Sequence, residues 1–320
     1  MPSFRTGTVT EILAQRAGLQ RVLVGSERAY VLTQLTGDVA PGDEVVMNTT
    51  AVDLGLGTGG WHVVHWNLSR REWSEPGPGH ILKLRYTSLQ VDTGAREEEA
   101  PPPDDLDGTP VVACFLHSQL PAVAAAFKSL APGARLAYVM TDGAALPLAL
   151  SDLVAELRDR SLLDLTVTAG HAFGGDAEAV NLHSALLVAR GAGADAIVAG
   201  IGPGVVGTGT AYGHTGLGVV DIVEATFSLR GAPIVALRVS DADPRERHRG
   251  VSHHAQEALD LLSAPPAIPA PDDATPDAVA LFAEHDLTVT TMGRRAEEER
   301  AFFQYAAAAG AAAAHALARD

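Results

Sequence analysis

Beyond residue 108, short apolar runs alternate along the chain with longer stretches of helical character. The apolar runs predict strands at 111–116, 136–140, 163–168, 196–201, 234–239 and 287–291. The stretches between and after them predict helices at 120–130, 177–190, 217–229, 253–262 and 297–317. Asp176 and Ser252 are placed to cap the second and fourth of these helices. Because strands alternate with helices, we expect an α/β domain with a mostly parallel sheet and flanking helices.

The first 95 residues have a different pattern, with short β-type runs separated by turn residues. The runs predict strands at 7–13, 20–24, 28–34, 44–48, 61–66 and 81–86. Gly-Ser at 25–26, Pro-Gly at 41–42 and Gly-Gly at 59–60 supply the breaks. This part is therefore predicted to be a small antiparallel β-barrel or sandwich.

A short acidic segment separates the two patterns. Residues 96–107 carry one basic and six acidic side chains, and prolines occupy 101–103. Such a segment is typical of a stiff, solvated linker. We therefore expect a small β domain at 1–95, a linker at 96–107 and an α/β domain at 108–320.

The charge and the cysteine count exclude several classes of protein. Asp and Glu number 39 against 23 Lys and Arg, which gives a net charge of −16. This charge makes nucleic acid an unlikely general partner and disfavours membrane surfaces. The single cysteine, Cys114, rules out an internal disulfide and a multi-cysteine zinc site. The first residues lack the plan of a signal peptide, and we expect a cytoplasmic protein.

Polar residues follow the predicted strands of the second domain where each strand ends. Ligands of an open parallel sheet bind outside the carboxyl ends of its strands, so these residues are candidates for a site. The candidates for proton transfer are Asp142, His171, His214, His248, His253 and His254. Loops are polar in any protein, and a solvated edge without a site is the alternative at each single strand end.

A glycine-rich loop follows the predicted strand at 196–201. Its candidate ligand-binding residues are Gly202, Gly204, Gly207, Thr208, Gly209 and Thr210. Backbone amides in such a loop, ahead of a helix, favour a phosphate, carboxylate or nucleotide-like ligand. The match to G-x-G-x-x-G is formal, because no acidic residue ends a following strand at the required spacing. A purely structural turn is the alternative.

The segment 245–254 contains three arginines and three histidines. Arg245 and Arg247 are expected to assist anion binding, and a solvated basic loop is the alternative. A metal site would need further donors to converge on the histidines. The available donors are His171, Asp176, Asp142, Asp241 and Asp243. No zinc-motif spacing occurs, so the metal and any other cofactor stay undetermined.

Two further stretches have open interpretations. Residues 61–86 contain all three tryptophans of the chain and more basic than acidic side chains. They predict a single-strand nucleic-acid surface, a barrel core with a basic rim, or a cap over the glycine-rich loop. The alanine-rich helix at 297–317 predicts close helix packing or a homo-oligomer interface.

Several long strings of the chain resemble a bacterial family of proteins of unknown function. They are GTGGWHVVHWNL (57–68), GHILKLRYTSLQ (79–90), YVMTDGAALPLALS (138–151), GPGVVGTGTAYGHTG (202–216), RVSDADPRERHRGVSHH (238–254) and TMGRR with FFQYAAAAG (291–310). The resemblance extends over nearly the whole chain and implies a shared two-part architecture. It implies no reaction, substrate or catalytic residue.

The residues themselves favour an enzyme, a hydrolase or group-transfer catalyst, that acts on a small anionic or phosphorylated ligand. The alternatives are a non-catalytic module that binds a nucleotide or another ligand, and a single-stranded nucleic-acid binder that uses the first domain. In the enzyme hypothesis the first domain covers the site.

Overall fold

The structure is a computed structural model that describes residues 2–318. Contacts divide the chain into two compact units, one ending at Gly94 and the other beginning at Ala95.

The first unit is a small closed β-barrel. Its strands are β1 (Phe4–Arg16), β2 (Leu19–Val24), β3 (Glu27–Leu32), β4 (Glu44–Asn48) and β5 (Trp61–Asn67). The order around the barrel is β1-β2-β3-β5-β4, and β4 closes on β1. All pairs are antiparallel except β3 with β5, which are parallel because the chain forms β4 before it returns to β3. Alternate residues such as Val22, Val24 and Val31 point inward and are buried.

Short elements lie in the barrel connections and after the last barrel strand. They are α1 (Thr33–Thr36), α2 (Thr50–Asp53), β6 (Leu82–Lys83) and β7 (Val91–Asp92). The strand predicted at 81–86 is reduced to β6, which pairs with β7 outside the barrel.

The second unit contains a six-stranded, all-parallel sheet. Its strands are β8 (Pro110–Cys114), β9 (Leu136–Thr141), β10 (Leu165–Ala169), β11 (Ala177–Ala179), β12 (Ala196–Ile201) and β13 (Ala232–Ala236). The order across the sheet is β11-β10-β9-β12-β8-β13. The α/β fold with a preceding barrel confirms the predicted fold class.

Helices and small hairpins complete this unit. The helices are α3 (Arg96–Glu99), α4 (Leu120–Leu130), α5 (Asp152–Asp159), α6 (Leu182–Gly191), α7 (Gly218–Ser228), α8 (His253–Asp260), α9 (Ala278–Glu284) and α10 (Arg300–Leu317). Two hairpins lie outside the main sheet: β14 (Val239–Ser240) with β15 (Gly250–Val251), and β16 (Thr290–Thr291) with β17 (Arg294–Arg295).

The helices lie on both faces of the sheet. The connections through α4 and α5 run across the sheet in one direction, and those through α6 and α7 run in the other. Since parallel crossovers are right-handed, the two pairs lie on opposite faces. The neighbouring strands β9 and β12 are thus followed by helices on opposite faces. A crevice opens between their carboxyl ends.

Some predicted element boundaries are wrong. The helix predicted at 177–190 begins only at Leu182, because the residues before it form the edge strand β11. Its N-cap is Asn181, whose side chain accepts a hydrogen bond from the Ser184 amide. Asp176 instead accepts from the amide and hydroxyl of Thr166, at 2.8 and 2.9 Å. The strand predicted at 287–291 is reduced to β16 and does not join the main sheet.

The alanine-rich helix α10 is an internal packing element. It lies against α4, and its alanine face is buried within the same unit. A Cβ at Gly310 would collide with the carbonyl oxygen of Val123, so only glycine permits this close approach. Packing inside the chain thus explains the small residues of α10, without a second subunit.

The acidic segment 96–107 is part of the second unit and packs on its other residues. Glu97 accepts a hydrogen bond from the Val180 amide at 3.0 Å, and Leu106 is fully buried in the core. Arg190 donates to the carbonyl of Leu106 and pairs with Asp107. Both ends of the segment are therefore fixed.

Among residues 2–318, no helix is long and apolar enough to cross a membrane.

Candidate functional site

A groove of about 710 Å³ opens at the crevice between β9 and β12. Ligands of open α/β sheets bind at this kind of topological switch point. The lining includes the carboxylates of Asp142, Asp221 and Glu224. Asp142 also accepts a hydrogen bond from the backbone amide of His171 at 2.9 Å. The groove is therefore acidic and suits uncharged or cationic groups better than anions.

The glycine-rich loop leaves β12 beside this groove and folds back on itself. The Thr208 amide donates to the Gly213 carbonyl at 2.7 Å, and the Thr215 amide donates to the Val206 carbonyl at 2.9 Å. The amides of Val206 and Thr210 donate to threonine hydroxyls of the same loop. An anion cradle that uses all the loop amides is thus not formed. Residues 207–213 remain exposed.

Four histidines converge at the base of this loop; we call them the histidine cluster: His214, His248, His253 and His254. The rings of His214 and His254 are stacked, with centroids 3.8 Å apart and planes 12° apart. The ring of His253 lies 4.2 Å from that of His254, and the ring of His248 lies 4.9 Å from both. Four of the six histidine and aspartate candidates therefore come together.

Local structure determines where each ring lies. His214 immediately precedes the 3-10 turn Thr215–Leu217, and His248 ends the 3-10 turn Glu246–His248. His253 and His254 are the first residues of α8. Ser252 is the N-cap residue of α8, but its hydroxyl bonds to Nδ1 of His248 at 2.8 Å instead of capping the helix.

Several polar atoms inside the cluster have no hydrogen-bond partner although they are buried. They are Nδ1 of His214, Nε2 of His253, Nε2 of His254 and Oε2 of Glu257. Buried polar groups are almost always satisfied, so each exception needs a reason. Four such atoms in one place indicate a site that a ligand would complete.

Burial keeps the rings of His214, His248 and His254 neutral. It lowers the pKa of His254 to about 3 and the pKa of His248 to about 4. The pKa of His214 is lowered for the same reason. The buried guanidinium of Arg238 opposes protonation further, and its Nη1 lies 3.4 Å from Nδ1 of His254. At neutral pH these imidazoles therefore keep lone pairs that can accept a proton or bind an ion.

An ion network around two buried carboxylates lies next to the cluster. Asp243 accepts two hydrogen bonds from the Arg245 guanidinium, at 2.9 and 2.8 Å, and these hold the pKa of its carboxyl well below the usual range. Arg294 lies 3.5 Å from the same carboxylate and donates to Glu299. The guanidinium of Arg245 is thus engaged by a carboxylate, against the expectation that it helps to bind an anion. Arg247 is exposed, and its Nε lies 3.4 Å from Nε2 of His248.

The remaining candidates lie elsewhere. Asp142 and His171 follow β9 and β10, on the other side of the central strand β12 from β8 and β13. Asp176 pairs with Arg158, and Asp243 with Arg245, so neither carboxylate is available as a metal ligand. Within the described residues, the group that could hold a metal ion is His248, His253 and His254, with one nitrogen each within 4.8 Å of the others.

Glu257 is the functional candidate that the sequence analysis missed. Its Oε2 lies 3.4 Å from Nδ1 of His253 and 3.6 Å from Nε2 of His214. The sequence did contain an indication of this residue. Glu257 follows His253 by four positions in α8, and residues four apart share one face of a helix.

Several aromatic and basic residues of the first unit make contacts within that unit. Trp61 stacks on Tyr30 with centroids 4.7 Å apart, and the guanidinium of Arg28 lies 5.0 Å from the Trp61 ring. Arg70 donates to backbone carbonyls, and Lys83 is buried. These contacts favour a role in the barrel structure.

Comparison with known proteins identifies a family but no function. No curated protein matches the chain. The family described as "Protein of unknown function (DUF3866)" matches residues 28–280, which include the barrel strands β3 (from its second residue), β4 and β5, the whole parallel sheet and the histidine cluster. The chain therefore belongs to the DUF3866 family.

Proposed function

We propose that the protein is an enzyme that hydrolyses, or transfers a group from, a small anionic ligand at the histidine cluster. The observation that carries this proposal is the convergence of four imidazole rings with a carboxylate, several of whose polar atoms are buried without partners. Imidazole is the most frequent acid–base group of enzymes. Its presence in four copies beside the carboxyl edge of a parallel sheet is typical of a reaction centre.

The charge distribution supports an anionic group on the ligand near Arg247. This side chain is exposed, and its Nη1 would lie 3.8 Å from a Cβ at Gly209, so it lies beside the loop. A guanidinium recognises phosphate and carboxylate oxygens through paired donors. The exposed amides at the tip of the loop add to the attraction.

The acidic groove accepts the rest of the ligand in this proposal. Thr215 lines the groove and His214 belongs to the cluster, so the two features adjoin. The carboxylates of Asp142 and Asp221 repel a second anionic group but hydrogen-bond well to hydroxyl or ammonium groups. The favoured ligand therefore has one anionic end and a polar, uncharged or cationic body.

His214 and Glu257 are the proposed proton-transfer pair. Nε2 of His214 faces the Ala211 carbonyl at 3.1 Å and the Glu257 carboxylate at 3.6 Å, which assigns the ring proton to Nε2. Nδ1 then carries a free lone pair. A lone pair held by hydrogen bonds on the opposite side of the ring is the usual arrangement of a general base.

The test is a turnover screen of the full chain against phosphomonoesters, phosphodiesters and carboxylic esters with polar bodies. The proposal predicts activity towards one class, lowered at least 100-fold in His214→Gln and Glu257→Gln. The exposed His315 at the end of α10 gives the matched control, and His315→Gln should keep full activity. Ligand binding without turnover of any class would instead support the non-catalytic module and overturn the enzyme.

A further inference from the structure

The three histidines of the cluster that follow β13 have the geometry of an ion-binding site. We infer that His248, His253 and His254 bind one divalent transition-metal ion of the zinc class. One nitrogen of each lies within 4.8 Å of the others. In a tetrahedral site with Zn–N bonds of about 2.1 Å, ligand nitrogens lie roughly 3.4 Å apart. Small side-chain rotations close the difference.

The unsatisfied nitrogens give the chemical reason for an ion. Nε2 of His253 and Nε2 of His254 are buried without a hydrogen-bond partner. Leaving such groups unpaired is unfavourable, because each has given up its hydrogen bond to water without a replacement. A cation that accepts these lone pairs removes that cost. Nε2 of His248 receives only the 3.4 Å contact from Nε of Arg247, which an ion would displace.

The outer nitrogens have the partners that metal-binding histidines require. Nδ1 of His253 faces the Glu257 carboxylate at 3.4 Å, and Nδ1 of His248 faces the Ser252 hydroxyl at 2.8 Å. Such partners hold the proton on Nδ1 and direct the Nε2 lone pair to the metal. Nδ1 of His254 lies 3.4 Å from Arg238, a contact long enough to allow either tautomer.

The surrounding charges do not exclude a cation. Four guanidinium groups lie near the cluster: those of Arg238, Arg245 and Arg294, and that of the exposed Arg247, whose Nε contacts Nε2 of His248. Three carboxylates offset most of this charge: those of Asp243, Glu299 and Glu257. The carboxylate of Glu257 is next to the imidazoles themselves, where it favours a cation most.

The ligand set selects the ion. Imidazole suits Zn²⁺, Co²⁺, Ni²⁺ and Cu²⁺, whereas Mg²⁺ and Ca²⁺ prefer oxygen ligands. Three histidines also leave the fourth tetrahedral position open to water or a substrate. This inference concerns the same cluster as the proposed function, but ion binding needs no turnover, and His214 lies outside the ligand set.

The experiment uses the untagged full chain, stripped with a chelator and titrated with ZnCl₂ by isothermal calorimetry. The bound metal is counted by elemental analysis after dialysis. We expect one Zn²⁺ per chain and no measurable Mg²⁺. His253→Gln and His248→Gln should weaken the zinc affinity at least 100-fold, and Glu257→Gln roughly 10-fold. The exposed His315 gives the matched control, and His315→Gln should bind zinc as the wild type does. Thermal unfolding of the metal-free proteins shows whether each variant is folded.

Two results would overturn the inference: no zinc binding at 100-fold excess over protein, or binding that survives in both folded His→Gln variants. Its failure is distinct from that of the proposed function. If the stripped chain binds no zinc but still turns over a substrate, the inference fails and the proposed function stands. If the chain binds one Zn²⁺ but turns over no substrate class, the metal site is supported and the proposed enzymatic function is refuted.

Discussion

His214 and His254 stack face to face with ring centroids 3.8 Å apart, although one lies in the loop after β12 and the other in the first turn of α8. Two rings at this distance repel each other strongly when both are charged, and burial adds to the cost. The pair is therefore stable as neutral imidazoles. This contact joins the two chain segments that make up the candidate site.

The buried carboxylate of Glu299 is expected to support the cluster through the ion network. It accepts hydrogen bonds from the Ser240 hydroxyl at 2.8 and 2.9 Å and from Arg294, and it is fully buried. Glu299→Gln leaves the guanidinium of Arg294 with only its 3.5 Å contact to Asp243 and should cost about 3 kcal/mol of unfolding free energy. Urea unfolding measures this loss. The exposed neighbour Glu297 supplies the control, and Glu297→Gln should change stability by less than about 0.5 kcal/mol. Equal effects of the two variants would contradict the role of the network.

Arg245 and Arg247 should differ in what their loss affects. Arg247→Gln removes an exposed guanidinium beside the loop, and we expect weaker binding of an anionic ligand with unchanged stability. Arg245→Gln leaves the buried carboxylate of Asp243 short of a partner, so we expect lower stability. Calorimetric titration with phosphate and thermal unfolding of both variants separate the two effects. A loss of phosphate binding that is confined to Arg245→Gln would refute this assignment.

The stability of the second unit should depend on pH through His117. Burial lowers the pKa of His117 to about 4, and its ring bonds to Tyr138 and Ser151. The unfolded histidine titrates near 6.5, so between pH 6.5 and 4 the unfolded state binds more protons. The stabilisation that the neutral ring provides is complete above pH 6.5. It is lost as the pH falls to 4, which lowers the free energy of unfolding by up to about 3 kcal/mol. His117→Gln should reduce the slope of the unfolding free energy across this window by the share of one histidine, since His248 and His254 keep theirs, and His315→Gln should keep the wild-type slope. A slope that His117→Gln leaves unchanged would contradict the burial of a neutral ring.

Gly310 tests the close packing of α10 on α4. A Cβ there meets the backbone carbonyl of Val123, which cannot rotate away, so Gly310→Ala should destabilise the chain by about 1–3 kcal/mol. Gly133 has open space around its Cβ position, and Gly133→Ala should be nearly neutral. Chemical denaturation compares the two substitutions. A Gly310→Ala variant as stable as the wild type would show that the helices can separate at no cost.

The elements that the sequence predicted best are those whose pattern is local. The helix Leu120–Leu130 and the strands Glu44–Asn48 and Ala196–Ile201 have their predicted bounds, because an apolar run between clear breaks determines each of them. The edge strand Ala177–Ala179 was missed because alanine and glutamate favour helices, and pairing with β10 overrides that preference.

The candidate site was predictable only in part, because the contacts that assemble it are not local in the sequence. The polar strand ends could be read from the chain, and they include all four members of the cluster. Which of them meet depends on the strand order, in which β12 separates β9 from β8, and that order follows from long-range packing. The pairing of Arg245 with Asp243 likewise needed the fold, since both residues look equally available in the sequence.

The most direct test of the histidine cluster as the functional centre is a visible-light titration of the metal-free chain with Co²⁺, followed by phosphate. Tetrahedral Co²⁺ bound to imidazole absorbs visible light, and its bands respond to the ligand in the open position. We predict bands that saturate at one equivalent, shift when phosphate is added, and are absent in folded His253→Gln. A spectrum that stays at that of aqueous Co²⁺, or one that persists in His253→Gln, would contradict the account.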